Sequence, residues 1–186
     1  MQKKGSESKS RAKKKNESVT FRVNSETLGR LKKEAADNDI SPSTLVNQLI
    51  KNHVGWHSVA PKAGFIPVRR VLIEKLFERL DDGEIKSTAL YVARASNREL
   101  LLNLRATVSI DAALDFFESW IRASNFGYRH EANENFRHSY VVQHNMGRKW
   151  SLYVGELFKH LFEECKAEKS EYDAREDTLQ ITIEIN

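Results

Sequence analysis

Residues 18–24 alternate between apolar and polar side chains without interruption. The apolar positions are Val19, Phe21 and Val23, and the polar positions are Ser18, Thr20, Arg22 and Asn24. A period of two is typical of a β-strand with one face against a core and the other face in solvent. The pattern therefore predicts a single strand near the N-terminus.

Two short amphipathic helices are predicted directly after this strand. Ser25 is placed to cap a helix from Glu26 to about Asp37, and Ser41 is placed to cap a second helix with Pro42 at its first position. The apolar positions at helical spacing are Leu28, Leu31 and Ala35 in the first helix, and Leu45, Val46, Leu49, Ile50 and Val54 in the second. A unit this small seldom buries enough apolar surface to fold alone. We therefore expect it to pair with a second copy of the chain.

This strand-helix-helix segment resembles the ribbon-helix-helix repressors of the Arc and MetJ kind. The resemblance covers about a fifth of the chain and rests on the alternating strand, the Ser25-Glu26 helix start, the Leu28 and Leu31 pair, and the Ser41-Pro42-Ser43-Thr44 helix start. Asn38 and Asp39 stand where the family commonly has glycine, and both tolerate the left-handed conformation. The resemblance implies an N-terminal ribbon-helix-helix fold, β-α-α and dimeric, over residues 18–54.

The resemblance also implies which residues contact DNA. The strands of two chains would form a ribbon in the major groove, where each base pair shows a distinct pattern of donors and acceptors. Arg22 can donate two parallel hydrogen bonds to guanine, whereas amides at the start of the second helix favour phosphate. The expected base contacts are Ser18, Thr20 and Arg22, and the expected phosphate contacts are Ser41, Ser43 and Thr44.

The positive charge of the chain is concentrated in a leader. Residues 1–16 contain seven basic residues and one acidic residue, a net charge of +6, whereas the whole chain carries +4 and the remainder therefore −2. A stretch rich in lysine and serine without aromatic residues is expected to be a disordered basic arm, over residues 1–17. Such an arm can neutralise phosphates, and we expect Lys13, Lys14 and Lys15 to do so.

After a linker at residues 55–66, residues 67–186 are predicted to form an α+β domain, with helices first and a small antiparallel sheet after them. The predicted helices cover residues 67–80, 84–95, 112–124 and 149–164, with residues 99–108 undecided between helix and strand. The predicted strands cover residues 126–130, 138–145 and 178–185. This part of the chain resembles no family that we can name, and it would serve as a sensor or interaction domain.

Three histidines and an aromatic cluster are the candidate functional residues of this domain. His130 and His138 are expected opposite each other in a hairpin, with His144 on the same face, which would allow transition-metal binding. Ordinary hydrogen-bonded histidines are the preferred interpretation, because the His-x-His spacing of nickel-responsive ribbon-helix-helix repressors is missing. No cofactor is predicted. Trp120, Trp150 and Tyr153 are read as core residues, although an apolar pocket beside them could hold a small effector.

Several classes of protein are disfavoured by the sequence. The single cysteine, Cys165, precludes an intrachain disulfide and fits a reducing compartment. No apolar run is long enough to span a bilayer, and no triad, carboxylate pair or nucleotide-binding loop indicates an enzyme.

The sequence thus predicts a homodimeric, sequence-specific DNA-binding transcriptional regulator of the repressor type, cytoplasmic and associated with the nucleoid. Its C-terminal domain would bind an effector, a small molecule or a protein, or would oligomerise. The alternative is an antitoxin-like interaction protein whose C-terminal region binds a partner protein. A metal-responsive repressor is a lower-ranked variant.

Overall fold

The computed structural model describes residues 17–133 and 136–185, and most of the predicted basic arm, including Lys13, Lys14 and Lys15, lies outside these ranges. The chain divides into two compact units, residues 1–45 and residues 46–186. None of the helices in the described ranges is long and apolar enough to cross a membrane.

The first unit contains one helix and the beginning of a second. Helix α1 runs over Ser25–Asp37, and its cap is Asn24, not Ser25 as predicted, because the Asn24 side chain accepts a hydrogen bond from the Thr27 amide at 2.8 Å. Helix α2 runs over Pro42–Asn52 and starts in this unit. The predicted Ser41 cap is confirmed, since its Oγ accepts from the Thr44 amide at 3.0 Å. Asp39 takes the left-handed conformation, with φ of 54°, in the turn between them.

The predicted N-terminal strand is wrong, and with it the ribbon-helix-helix fold class. Residues 17–24 form no strand, and α1 is the first regular element of the described chain. A strand requires a neighbour that completes its ladder of hydrogen bonds, and this segment has none among the residues that the structure describes. Its apolar side chains are therefore uncovered, with Val19 70% exposed, Phe21 64% and Val23 51%.

Helices make up the first part of the second unit. Beyond the end of α2, a short π-helix covers His53–His57 and a 3-10 helix covers Ala60–Ala63. The α-helices that follow are α3 over Arg70–Phe77, α4 over Asp82–Arg105, α5 over Ile110–Ala123 and, after the first two strands, α6 over Arg148–Glu164.

Helix α4 is one continuous helix where the sequence indicated two segments. Its buried positions are Ile85, Ala89, Ala93, Asn97, Leu101 and Leu104, which follow one another at helical spacing. Two alanines and an asparagine in this stripe face the interior. The sequence pattern does not identify them as part of an apolar repeat. The helix begins at a capping box, in which Asp81 and Glu84 each accept a hydrogen bond from the other's backbone amide, at 2.8 and 2.7 Å.

A four-stranded antiparallel sheet follows the helices. Its strands are β1 over Gly127–Ala132, β2 over Arg137–Gln143, β3 over Lys169–Ala174 and β4 over Thr178–Glu184, in the spatial order β1-β2-β4-β3. The sequence did not predict β3, because an edge strand in which most side chains are polar shows no apolar alternation. Strand β4 alternates as predicted, with Leu179, Ile181 and Ile183 buried.

The core of the second unit lies between the sheet and helices α5 and α6. Phe117 of α5 is fully buried at its centre, with its ring centroid 4.4 Å from that of Phe158, 5.2 Å from Tyr140 and 5.8 Å from Phe162. Edge-to-face and tilted arrangements of this kind are the preferred geometry of aromatic pairs. The second unit therefore has a packed core of its own.

Candidate functional site

The predicted DNA contacts that fall within the described residues lie at the surface of the first unit. Thr20 and Arg22 belong to the exposed segment before α1, as does Ser18. Ser41, which caps α2, is exposed, as are Ser43 and Thr44 in its first turn, and the Ser41 and Thr44 hydroxyls are 2.8 Å apart. The hydroxyls of Ser41 and Thr44 thus already take part in capping the helix.

The two hairpin histidines are neighbours, although not in the register that was predicted. His130 lies opposite Tyr140, and His138 lies opposite Ala132. The backbone amide of Arg137 donates to the Asn133 side chain at 3.0 Å, and the Asn133 amide donates to the Arg137 carbonyl. This pairing shifts the register by two residues, so the histidines meet diagonally, with 3.0 Å between His130 Nε2 and His138 Nδ1.

Glu118 of α5 organises the polar groups around these histidines. Its Oε1 accepts a hydrogen bond from the Tyr140 hydroxyl at 3.0 Å and lies 3.2 Å from His130 Nδ1, while Arg122 donates to its Oε2 at 3.0 Å. The His130 ring stacks on the Tyr140 ring, with 4.0 Å between centroids. Burial first, and then the neighbouring His130, lowers the pKa of His138. The partners of both histidines are thus hydrogen-bonding groups of the protein, as expected for histidines with a structural role.

His144 lies apart from this pair. It is 3% exposed, its Nε2 is 2.7 Å from the Ser151 hydroxyl, and its Nδ1 accepts from the Met146 amide at 3.1 Å. Both ring nitrogens are occupied, so neither is available to a metal. The structure therefore does not bring the three histidines together, and residues 17–133 and 136–185 contain no cluster of three or more acidic, histidine or cysteine side chains suited to a metal.

Cys165 is also buried, at 7% exposure. Burial raises the pKa of its thiol to about 11, with a smaller contribution from Glu164. Since the thiolate is the reactive form, this cysteine behaves as a small apolar core residue.

An apolar cavity of about 270 Å³ lies among helices α4, α5 and α6 and the loop at residues 63–65. Its walls include the aromatic rings of Phe65, Phe116, Trp150, Tyr153 and Phe158. None of the described residues that line it is charged. The cavity has the apolar, concave character that is typical of small-molecule sites.

Two residues that line this cavity each have a buried hydrogen-bond donor without a partner among the described residues. The donors are the side-chain amide nitrogen Nδ2 of Asn97, a residue only 3% exposed, and the indole nitrogen Nε1 of Trp150. Tyr153 also lines the cavity, and burial raises the pKa of its phenol. The sequence indicated Trp150 and Tyr153 beside a possible apolar pocket, but it did not indicate Asn97. The only signal for Asn97 is its place in the buried stripe of α4.

No family model matches the chain, and no curated protein or solved structure does so either. Function must therefore be argued from the site alone.

A larger groove of about 460 Å³ runs beside the edge strand β3, but its character differs. It is lined by charges of both signs, from Lys159, Glu171 and Asp173, and by polar side chains. Strong hydration of such groups opposes the binding of small molecules that lack matching charges. The apolar cavity is thus the better ligand site of the two.

Proposed function

We propose that the chain is a DNA-binding transcriptional regulator, which binds DNA through its basic arm and first unit and carries an effector site in its second unit. The observation that carries the proposal is the direct succession of a leader of net charge +6 and the exposed residues 18–24. The proposal rests on these side chains and does not depend on a strand.

The two parts of this N-terminal region would contribute differently. An array of lysines that neutralises phosphates releases counterions, which supplies affinity without selecting a sequence. Arg22, whose side chain is exposed, is the residue best suited to base recognition, since a bidentate contact to guanine discriminates by about 1 to 3 kcal/mol. Thr20 beside it can donate, accept or touch a thymine methyl group. Binding to the chromosome would place the protein with the nucleoid.

Self-association belongs to the same proposal. Val19, Phe21 and Val23 are each more than half exposed, on a segment adjacent to the proposed DNA contacts. A second copy of the chain would remove these side chains from water, at a gain of about 25 cal/mol for each Å² covered. A dimer would also double the number of phosphate contacts.

The packed core of the second unit supports a regulator over the antitoxin-like alternative. Antitoxins of the family that residues 18–54 resemble usually end in a short disordered tail. Here Phe117, Phe162 and Tyr140 are buried among helices and sheet, and the apolar cavity adjoins this core. A folded domain with a cavity is suited to sensing a ligand.

Selection of bound sequences from a random pool of duplex DNA tests the proposal. We expect the full chain to enrich a defined sequence and to prefer it over scrambled DNA. Arg22→Ala should reduce that preference about tenfold or more, because the bidentate donor is lost. Arg30→Ala is the matched control, an exposed arginine of the same unit to which no base contact is assigned. Failure to enrich any sequence would overturn the proposal, and equal preference in both variants would remove Arg22 from its role.

A further inference from the structure

The cavity among α4, α5 and α6 combines apolar walls with two unsatisfied donors, and these features define the chemistry of an occupant. We propose that it binds a small, uncharged, aromatic molecule that carries a hydrogen-bond acceptor, such as a carbonyl oxygen. The role of that molecule as an effector rests on the proposed function. Its binding to the second unit does not.

The size of the cavity suits a single ring with a short substituent. A cavity needs about 10 to 15 Å³ of such volume to hold one water molecule, so one of about 270 Å³ has room for a small organic molecule.

The walls favour a flat ring. Trp150 and Tyr153 are nearly parallel, at 28° with centroids 5.8 Å apart, and Phe116 and Phe158 are inclined by 31° at 5.7 Å. These rings pack against one another, and a ring face or edge that borders the cavity can bind a ligand ring through offset stacking or edge-to-face contact. Leu100, Leu157 and Leu161 supply the remaining apolar surface.

The unsatisfied donors specify the polar part of the ligand. Nearly all buried polar groups in folded proteins have a hydrogen-bond partner, and an exception calls for an explanation. Asn97 Nδ2 and Trp150 Nε1 can only donate, so each requires an acceptor such as an oxygen atom of the ligand.

The absence of charge among the described lining residues indicates a neutral ligand. A carboxylate in an apolar site requires a compensating cation, and no lysine, arginine or histidine is present among these lining side chains. A ketone, ester or amide oxygen needs no such partner. The inference is thus a carbonyl compound and not the corresponding acid.

Titration of the full-length protein with three compounds of the same size tests the inference. Acetophenone carries the carbonyl, isopropylbenzene replaces it with an apolar group, and benzoate replaces it with a charge. We follow the three indole N–H resonances by NMR and assign that of Trp150 with Trp150→Phe. Acetophenone should shift the Trp150 resonance and bind about tenfold more tightly than either of the other compounds.

Asn97→Leu separates a ligand contact from a structural role. Without ligand this variant should be at least as stable as the parent protein, because it removes an unsatisfied buried amide. It should also lose most of the preference for acetophenone over isopropylbenzene. Asn103→Leu, an exposed asparagine on the same helix, is the matched control and should retain that preference.

Three results would overturn the inference: no shift of the Trp150 resonance with any compound at millimolar concentration, equal affinity for acetophenone and isopropylbenzene in the parent protein, or an unchanged preference in Asn97→Leu. The comparison in the parent protein suffices if the variant does not fold. Because these titrations contain no DNA, their failure leaves the proposed DNA binding intact, and failure of DNA binding leaves this site intact.

Discussion

The Nε2 atom of His144 lies 2.7 Å from the Ser151 hydroxyl, and this contact fixes the protonation of both side chains. The Met146 amide donates to Nδ1 of the ring, so the proton of the neutral imidazole must be on Nε2. Nε2 then donates to Ser151, whose own proton is donated to the Arg175 carbonyl at 2.6 Å. A second proton, on Nδ1, would point at the N–H group of Met146. The fold therefore favours the neutral form of the imidazole.

We expect the second unit to lose stability as the solution becomes acidic. Burial lowers the pKa of His144 and, together with His130, that of His138, below the ordinary value of 6.5. The unfolded chain therefore binds protons at a pH where the folded chain does not, so stability is complete above about pH 6.5 and falls as the pH drops below it. Urea unfolding at pH 7.5 and pH 5.5 measures the difference.

Variants of single histidines identify the groups responsible. His144→Gln should reduce the pH dependence, since the titrating group is gone while an amide can still donate to Ser151. His53→Gln, at an exposed position in the π-helix, should leave the dependence as it is in the parent protein. Equal slopes in all three proteins would contradict the assignment of His144.

The capping box of α4 should contribute measurably to stability. In Asp81→Ala the Glu84 amide loses its acceptor, and we expect a loss of about 1 kcal/mol in the free energy of unfolding. Chemical denaturation of the two proteins measures it. Glu99→Ala, on the exposed surface of the same helix, should change stability by less than about 0.5 kcal/mol. Similar losses in both variants would show that the cap is not the cause.

Some elements could be predicted from the sequence because local chemistry determines them. Ser41 and Pro42 mark a helix start whether or not anything packs against it, and the predicted start of α2 is confirmed. Strand β4 was recognised from alternation alone, since its inner face is aliphatic and its outer face polar. In each case the signal lies within a few residues.

Two of the errors concern partners that are distant along the chain, and a third concerns local hydrogen bonds. The strand at residues 18–24 was predicted from a pattern that only a neighbouring strand could satisfy, and the described chain has none there. The His130 register depends on hydrogen bonds of Asn133, which apolar periodicity does not report. Asn97 was missed because its significance arises only when α5 and α6 enclose it.

Gly155 should not accept a side chain. A methyl group there would lie 2.4, 2.6 and 2.9 Å from three atoms of the Tyr172 ring, and that ring is held by its hydroxyl, which donates to Glu156 at 2.6 Å. Alanine favours a helix interior by up to about 1 kcal/mol over glycine, whereas overpacking costs about 1 to 3 kcal/mol. We expect Gly155→Ala to be destabilising on balance, as measured by chemical denaturation.

Gly29→Ala is the control of opposite sign. No atom of the described residues lies within 4 Å of the added methyl group in α1, so only the gain in helix propensity remains. This variant should be neutral or more stable by up to about 1 kcal/mol. A stable Gly155→Ala protein would mean that Tyr172 can move aside at little cost.

The basic arm should determine how DNA affinity responds to salt. Each phosphate neutralised by a lysine adds about 0.9 to the slope of log affinity against log salt concentration. Lys13→Gln, Lys14→Gln and Lys15→Gln together should therefore lower the slope by up to about 2.7, and deletion of residues 1–15 should lower it further. Fluorescence anisotropy with labelled duplex DNA at several salt concentrations gives the slopes.

Arg22→Ala provides the contrast for this measurement. It should lower the preference for the selected sequence while changing the slope by about one unit at most, because base contacts and phosphate contacts respond differently to salt. An unaltered slope after deletion of the arm would mean that residues 1–15 do not contact DNA. The +6 charge would then serve another purpose, and the affinity of the complex would have to come from the residues after the arm.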